Sequence, residues 1–333
     1  MVVVQRFSFT GGADSDLAAL QVGDAIEFGS IRLLSTSRAE VSAFRDPSRL
    51  DGVILTVTVS FENMCRIQGV AVMVAPGIAL CAAHVLLEDV EDLRSGAKQV
   101  LCVGIASEKR QIWGVTNIGF VPTTDLVILS LKLIDGLSTS RRFNYASITT
   151  RAPRSGETVT IMGFRSDGST FNWKQGEEKI SIVSLACRGR VIEHYVPRRD
   201  CVLLPGPSMA VDCPSWSGMS GAPVFDGDGW LIGILSTSLE TADALPKPSG
   251  VSLLWHALGY PFVGGWPEPE SPAPRTLLAM SAAGFCQIER PEVLKENGQD
   301  EEGMPQYVYY TWQDREPADA SKPIASSQGP SPT

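Results

Sequence analysis

From residue 50 to about residue 256 the chain is a succession of short β-branched and aromatic runs broken by Gly, Pro, Asn and Asp, the pattern of strands joined by tight turns. It predicts strands over 53–61, 70–74, 100–105, 112–120, 127–131, 159–164, 182–191 and 230–236. Many short strands at this spacing indicate an all-β protein of barrels or sandwiches. Residues 138–154 are polar and end in Ala152, Pro153, Arg154, Ser155 and Gly156, a turn-rich stretch that suits a connection between two lobes. The division is drawn there, giving lobes over 50–150 and 151–263. Their similar size fits a diverged duplication, although no fixed repeat of 20 to 50 residues recurs.

Two extensions flank the lobes. Residues 1–49 hold a strand-like opening, a Gly11-Gly12 turn and a weakly helical stretch over 37–44. Beyond Gly264, the prolines Pro267, Pro269, Pro272 and Pro274 favour an extended linker, and a short helix is predicted over 275–285. Residues 291–333 carry eight acids and three bases, and the composition of the last 17 is that of a mobile tail. The segment 264–333 therefore reads as linker, short helix and acidic end.

Composition narrows the classes of function. The chain has 333 residues, 44% hydrophobic and 20% charged, close to a soluble globular average, so the body folds. Its net charge of −9 and pI near 5.0 lack the basic footprint of a nucleic-acid partner. The longest apolar stretch, 70–87, is interrupted by Pro76-Gly77 and contains His84, so it is not a membrane span. Residues 1–14 hold one cation, Arg6, and no apolar core of a secretory signal, which gives the expectation of a cytoplasmic protein. Seven cysteines without CxxC pairing suit thiols better than disulfides or a zinc site, and neither metal nor cofactor is expected.

Three segments could carry chemistry. Hydrolysis of an amide through a serine needs a base beside the hydroxyl, a carboxylate that orients the base, and amide donors facing the developing oxyanion. A strand running into Cys81, Ala82 and Ala83 delivers His84 among small residues that leave room for an imidazole. Asp125 stands immediately before the apolar run 126–129, where a carboxylate can be buried at a strand's mouth. Ser220 lies between Gly218, Met219 and Gly221, Ala222, Pro223, and the glycines permit the sharp backbone that makes two N–H groups converge. The ordinary alternatives are a core histidine, a turn acid and a glycine-flanked turn serine. Asp89 and Asp92 are rival acids close to His84, and His194 and His256 lack a comparable setting.

In the order His, Asp, Ser, these segments resemble the motifs of trypsin/chymotrypsin-like serine peptidases, especially the disulfide-free bacterial-type branch. Intervals of 41 residues from His84 to Asp125 and 95 from Asp125 to Ser220 agree in scale, and the resemblance covers about residues 50–260. It implies two six-stranded antiparallel β-barrels of the chymotrypsin type. His84 would then be general base and acid, Asp125 would hold its tautomer, Ser220 would be the nucleophile, and the N–H groups of Gly218 and Ser220 would form the oxyanion hole. Pro214, Ser215, Ser236, Thr237, Ser238 and Gly250 would line the substrate site, with the Ser236 segment pairing to the substrate backbone. The partner it implies is a polypeptide substrate, with room for a protein regulator.

Departures from the secreted members carry information. Their activating Asp before the nucleophile is Met219 here, and the cysteines that would follow the His and precede the Ser are Val85 and Trp216. The position that holds the acid of Lys/Arg-cutting members is Pro214, with Asp212 two residues before it. The expected function is an intracellular serine endopeptidase preferring an uncharged, small to medium residue. Its alternatives are a silent peptidase-like scaffold and a triggered processing or effector protease.

Overall fold

The computed structural model describes residues 8–9, 25–28, 52–62, 64–106, 109–135, 144–165, 170–172, 181–213, 215–238, 248–264, 273–299 and 305–309. The expected helix over 37–44, the Gly11-Gly12 turn, Pro214, the prolines from Pro267 to Pro272 and the last 17 residues lie outside them. Strands β1 (Ser8–Phe9) and β2 (Ala25–Phe28) precede the body of the chain.

Six strands then follow: β3 (Ile54–Phe61), β4 (Met64–Ala75), β5 (Ile78–Ala82), β6 (Lys98–Ala106), β7 (Lys109–Val121) and β8 (Leu126–Asp135). Helices α1 (His84–Leu87) and α2 (Val90–Ser95) sit between β5 and β6. All pairings are antiparallel, in the ring β4-β3-β6-β7-β8-β5, and β5 pairs with β4 to close it. Closure removes the free edges of the sheet, and register shifts at Val57/Thr58, Met73/Ala75 and Val115/Asn117 supply local bends. Trp113 and the aliphatic residues of β4, β5 and β8 fill the interior.

The next elements in order are β9 (Ile148–Thr149), β10 (Thr158–Arg165), β11 (Thr170–Asn172), β12 (Ser181–Tyr195), β13 (Ser208–Val211), β14 (Pro223–Phe225), β15 (Leu231–Ser238) and β16 (Ser249–Leu253). Six of them close a second antiparallel ring, β14-β10-β12-β13-β16-β15, through the β14–β15 pairing. Numbered within its own barrel, each ring runs first, second, third, sixth, fifth, fourth, so both barrels have one topology. This is the chymotrypsin-type double barrel that the sequence implies. Outside the rings, β11 pairs with β4, β1 and β2 pair with β12, and β9 runs parallel to β15.

One hydrophobic cluster runs through both barrels. At the seam, backbone approaches backbone because glycine occupies the contact. A Cβ on Gly69 would lie 2.6 Å from the Ser220 carbonyl oxygen, and one on Gly221 (φ +90°) would lie 1.8 Å from that of Val70. The Val70 N–H donates to the Ser220 carbonyl at 2.8 Å in the same place. Gly221→Ala is therefore expected to cost about 3 kcal/mol or more, from overpacking added to a left-handed backbone. Urea unfolding monitored by the circular dichroism of the sheet measures it.

After the second barrel the chain returns across the first. Helix α3 (Trp255–Gly259) places the Trp255 indole N–H on the Thr150 carbonyl at 2.8 Å, and Ser130 Oγ donates to the Val263 carbonyl at 2.6 Å. Thr276 caps α4 (Leu277–Ala282), which stands inside the predicted 275–285. The stretch that reads as linker, helix and tail is more deeply integrated than composition indicates, because Leu277, Met280, Cys286, Ile288 and Leu294 are buried in the main core. Strand β17 (Ile288–Glu289) pairs with β9, and β18 (Leu294–Gln299) and β19 (Pro305–Tyr309) form a hairpin within the acidic segment.

Arg151 ties the inter-barrel connection to the second barrel. Its guanidinium reaches Glu157 at 2.6 and 2.8 Å and the buried Asp226 at 2.6 Å. Burial raises the Glu157 carboxyl, but hydrogen bonds from Arg151 and the Arg154 N–H outweigh it and hold that group below its ordinary value of 4.5. A depressed carboxylate stabilises the fold above its ordinary value, and the contribution is lost as pH falls through the lower folded value. Arg151→Met leaves Asp226 with an uncompensated charge and is expected to cost about 3 kcal/mol at neutral pH. Denaturant midpoints measured from pH 7 down to 3 should show the difference between the two proteins shrinking.

Candidate active site

Strand β5 ends at the buried Ala82, the buried Ala83 caps α1, and His84 begins that helix's single turn. Across the barrel wall, the turn between β7 and β8 presents Asp125. That turn is fixed by Thr124, whose Oγ1 donates to the Val121 carbonyl at 2.9 Å and accepts from the Leu126 N–H at 3.2 Å. Pairing of Ala82 with Leu126 places the two segments side by side, and the Ala83 N–H donates to the Asp125 carbonyl at 3.2 Å.

The Asp125 carboxylate is 6% exposed and accepts from three donors. Oδ1 receives the His84 backbone N–H at 2.9 Å, and Oδ2 receives His84 Nδ1–H at 2.8 Å together with the Ser236 hydroxyl. An ionised carboxylate has no proton to give, so the Nδ1 that meets it carries one. The His84 side chain is 43% exposed.

Ser220 comes from the other barrel. Gly218 at φ +86° and Gly221 at φ +90° bend the backbone on either side of it. The Met219 N–H is taken by Trp216 O at 3.1 Å and the Gly221 N–H by Leu235 O at 2.8 Å, on either side of Ser220. Ser220 Oγ lies 3.5 Å from the Ser236 carbonyl oxygen, the outer limit of a hydrogen bond. The Ser236 residue thus touches Ser220 through its backbone and Asp125 through its side chain. Met219, where an activating Asp would stand in secreted relatives of this class, is fully buried.

The rivals are placed in structural roles. Asp89 is buried among Gln68 Nε2 (2.6 Å), Lys98 Nζ (2.6 Å) and Arg66 (3.6 Å), and Asp92 pairs with Lys98 at 2.7 Å. Burial raises the Asp89 carboxyl, but hydrogen bonds from Lys98 and Gln68 hold it below its usual range. His194 and His256 are half-buried, and burial pushes both imidazoles down.

Of the residues expected to line the substrate site, Ser236 has its side chain 1% exposed and turned to Asp125 and the Leu203 carbonyl (3.2 Å). Thr237 is half-buried and Ser238 exposed at the end of β15, and Gly250 is buried opposite Thr237. Ser215 is half-buried, and Pro214 lies outside the described residues. Asp212 is exposed, with its N–H bound to Arg190 O at 2.8 Å. Sequence reasoning missed Leu203; the Ser249 hydroxyl donates to the Cys213 carbonyl at 2.6 Å and fastens the start of the serine loop to β16. Neither has a local signal, since each contact joins residues far apart in the chain.

Two closed six-stranded barrels of like topology are the architecture of trypsin-like serine peptidases, with His84 and Asp125 carried by the first and Ser220 by the second. Residues 69–234, which contain all three, match the family model described as a trypsin-like peptidase domain, and the chain carries such a domain and is by that family a serine peptidase hydrolase. No curated protein matches the chain. Similar solved structures include Rv3671c from M. tuberculosis H37Rv in an inactive form, 16% identical over 61% of this chain and 81% of that one, with a TM-score of 0.39. The HtrA-type protease AlgW with a tripeptide is 18% identical over 65% of this chain and 60% of its own, at 0.44. Deg5 is 14% identical over 62% of this chain and 85% of its own, also at 0.44.

Proposed function

We propose that the protein is an endopeptidase that cleaves polypeptides through an acyl-enzyme formed on Ser220. The observation that carries the reading is the buried Asp125 carboxylate on His84 Nδ1–H, which fixes the tautomer with a basic Nε2. Ser220 Oγ attacks the carbonyl carbon while its proton passes to Nε2, and the resulting oxyanion is received by the Gly218 and Ser220 N–H groups. His84 returns the proton to the leaving amine as the C–N bond breaks. Water then repeats the sequence on the ester and frees the acid. Ser236, Thr237 and Ser238 offer their backbone to the substrate's amino side.

Asp212 is exposed, and a substrate Lys or Arg left unpaired in the primary pocket would be costly to bury. The proposed preference is for an uncharged, small to medium residue. The seven described cysteines are all free thiols, and six are buried, which supports work in a reducing compartment such as the cytoplasm. A fluorophosphonate should label Ser220 in the full chain, located by mass spectrometry, and a peptide library should give a cleavage profile led by uncharged residues. An unlabelled, inert protein would instead be a scaffold, and dominant cutting after Lys or Arg that is lost in Asp212→Asn would show that the pocket is placed wrongly.

A further inference from the structure

Resting on the peptidase reading, we propose that Asp89 is a positioning residue of the reaction: through Gln68 it sets the helix that carries His84 against the strand that holds Ser220. Asp89 is a buried carboxylate just beyond α1, 2% exposed, and the proposed acyl transfer leaves it unused. It stands at the N-cap of α2, where an Asp ordinarily accepts the first N–H groups of its own helix. Its side chain makes no such bond. It turns the other way and accepts from Gln68 Nε2 on Oδ2 and from Lys98 Nζ on Oδ1, both at 2.6 Å, so each oxygen of the buried group is answered.

The backbone of Asp89 joins the two helices. Its N–H donates to the Leu86 carbonyl of α1 at 3.1 Å, and its carbonyl accepts the Leu93 N–H of α2 at 2.9 Å. A helix of one turn has too few internal bonds to hold its own position. Helix α1 is therefore held from both ends, by Asp125 on the His84 N–H and by Asp89 beyond Leu87.

The other end of the link lies at the seam between the barrels. A Cβ on Gly69, the residue after Gln68, would lie 2.6 Å from the Ser220 carbonyl oxygen and 2.9 Å from a Val85 methyl, so Gly69 fits closely between the residue after His84 and the backbone of the nucleophile. The Val70 N–H donates to that same Ser220 carbonyl at 2.8 Å. Asp89, Gln68, Gly69 and Val70 thus form a path from α1 to Ser220 that does not pass through Asp125. Cutting it lets base and nucleophile drift, and a misplacement of about 1 Å can cost about 10² in rate. Asp89→Asn should keep the path: its oxygen can take Lys98, and its NH2 can donate to Gln68 Oε1 once that amide turns over, an oxygen that is buried without a donor among the described residues. Lys98 retains Asp92 at 2.7 Å as its counter-charge.

The test is steady-state cleavage of an internally quenched peptide by the full chain, with kcat expressed per Ser220 that a fluorophosphonate labels, so that unfolded molecules do not count. Asp89→Ala is expected to lower kcat by about thirtyfold with KM within about twofold, and Gln68→Met, of similar length but without the amide, by about tenfold. Asp89→Asn should stay within about threefold of the wild type. The double variant Asp89→Ala with Gln68→Met should be no worse than Asp89→Ala, because both changes cut one path. If Asp89→Ala does not fold, Gln68→Met decides, since it leaves Asp89 paired with Lys98. An unchanged kcat per labelled site in Gln68→Met, losses that multiply in the double variant, or an Asp89→Asn as impaired as Asp89→Ala overturns the positioning role and leaves the peptidase reading standing. A wild-type chain that neither labels nor cleaves overturns the peptidase reading, and the positioning role falls with it.

Discussion

Ser220→Ala is expected to lower kcat on a peptide substrate by on the order of 10⁶, because no other group can form the acyl-enzyme once the hydroxyl is gone. The fold should be unaffected. Ser220 is half-buried, its anchoring bond to Val70 N–H is made by the carbonyl oxygen, and its hydroxyl makes, among the described residues, the long 3.5 Å contact with the Ser236 carbonyl. Denaturation midpoints of the two proteins should agree, while single-turnover assays show no acyl intermediate. A variant that keeps its turnover would place the chemistry on another nucleophile. The seven thiols are the obvious candidates, yet burial pushes Cys65 up to about 11 and Cys102 up to about 12, and Cys213 is raised further by its hydrogen bond to Cys187. Such thiols are poor nucleophiles at neutral pH.

The barrel strands that could be read from sequence are those with continuous Val, Ile and Leu runs, for which burial on both faces leaves a plain signal. Strand β14 has three residues and begins with proline, and β13 and β16 carry serines that are buried in the structure, so none of them stands out as an apolar run. Ser249 is accommodated there because its hydroxyl donates to the Cys213 carbonyl at 2.6 Å. His84 draws notice because two alanines precede it, Asp125 because it stands directly before the apolar strand β8, and Ser220 because Gly218 and Gly221 bracket it. The supporting contacts do not. Ser236 meets Asp125 across 111 positions, and Ser249 meets Cys213 across 36, distances at which a hydroxyl's identity carries no pattern. The C-terminal segment misled for a different reason: its buried Leu277, Met280, Ile288 and Leu294 are spaced between charged and glycine residues, so its average composition hides a small apolar face.

Asp125→Asn should be the second most damaging change, with kcat lower by about 10⁴ and little loss of fold. The argument is one of donor and acceptor count. The carboxylate accepts three hydrogen bonds, from His84 N–H, His84 Nδ1–H and the Ser236 hydroxyl, and an amide has one oxygen with which to answer them. If that oxygen serves the His84 backbone, the amide NH2 faces Nδ1, which must then accept, so the proton moves to Nε2 and the base toward Ser220 is lost. If the oxygen serves Nδ1, the NH2 confronts the backbone N–H, donor against donor. The hydroxyl of Ser236 can rotate to the Leu203 carbonyl at 3.2 Å, which is why the first arrangement costs less and prevails. Imidazole proton resonances of the variant should accordingly show the ring protonated at Nε2 near neutral pH, and fluorophosphonate labelling should slow in step with kcat. A variant that labels at the wild-type rate would mean that Asp125 holds the barrel wall together and does not set the tautomer of His84.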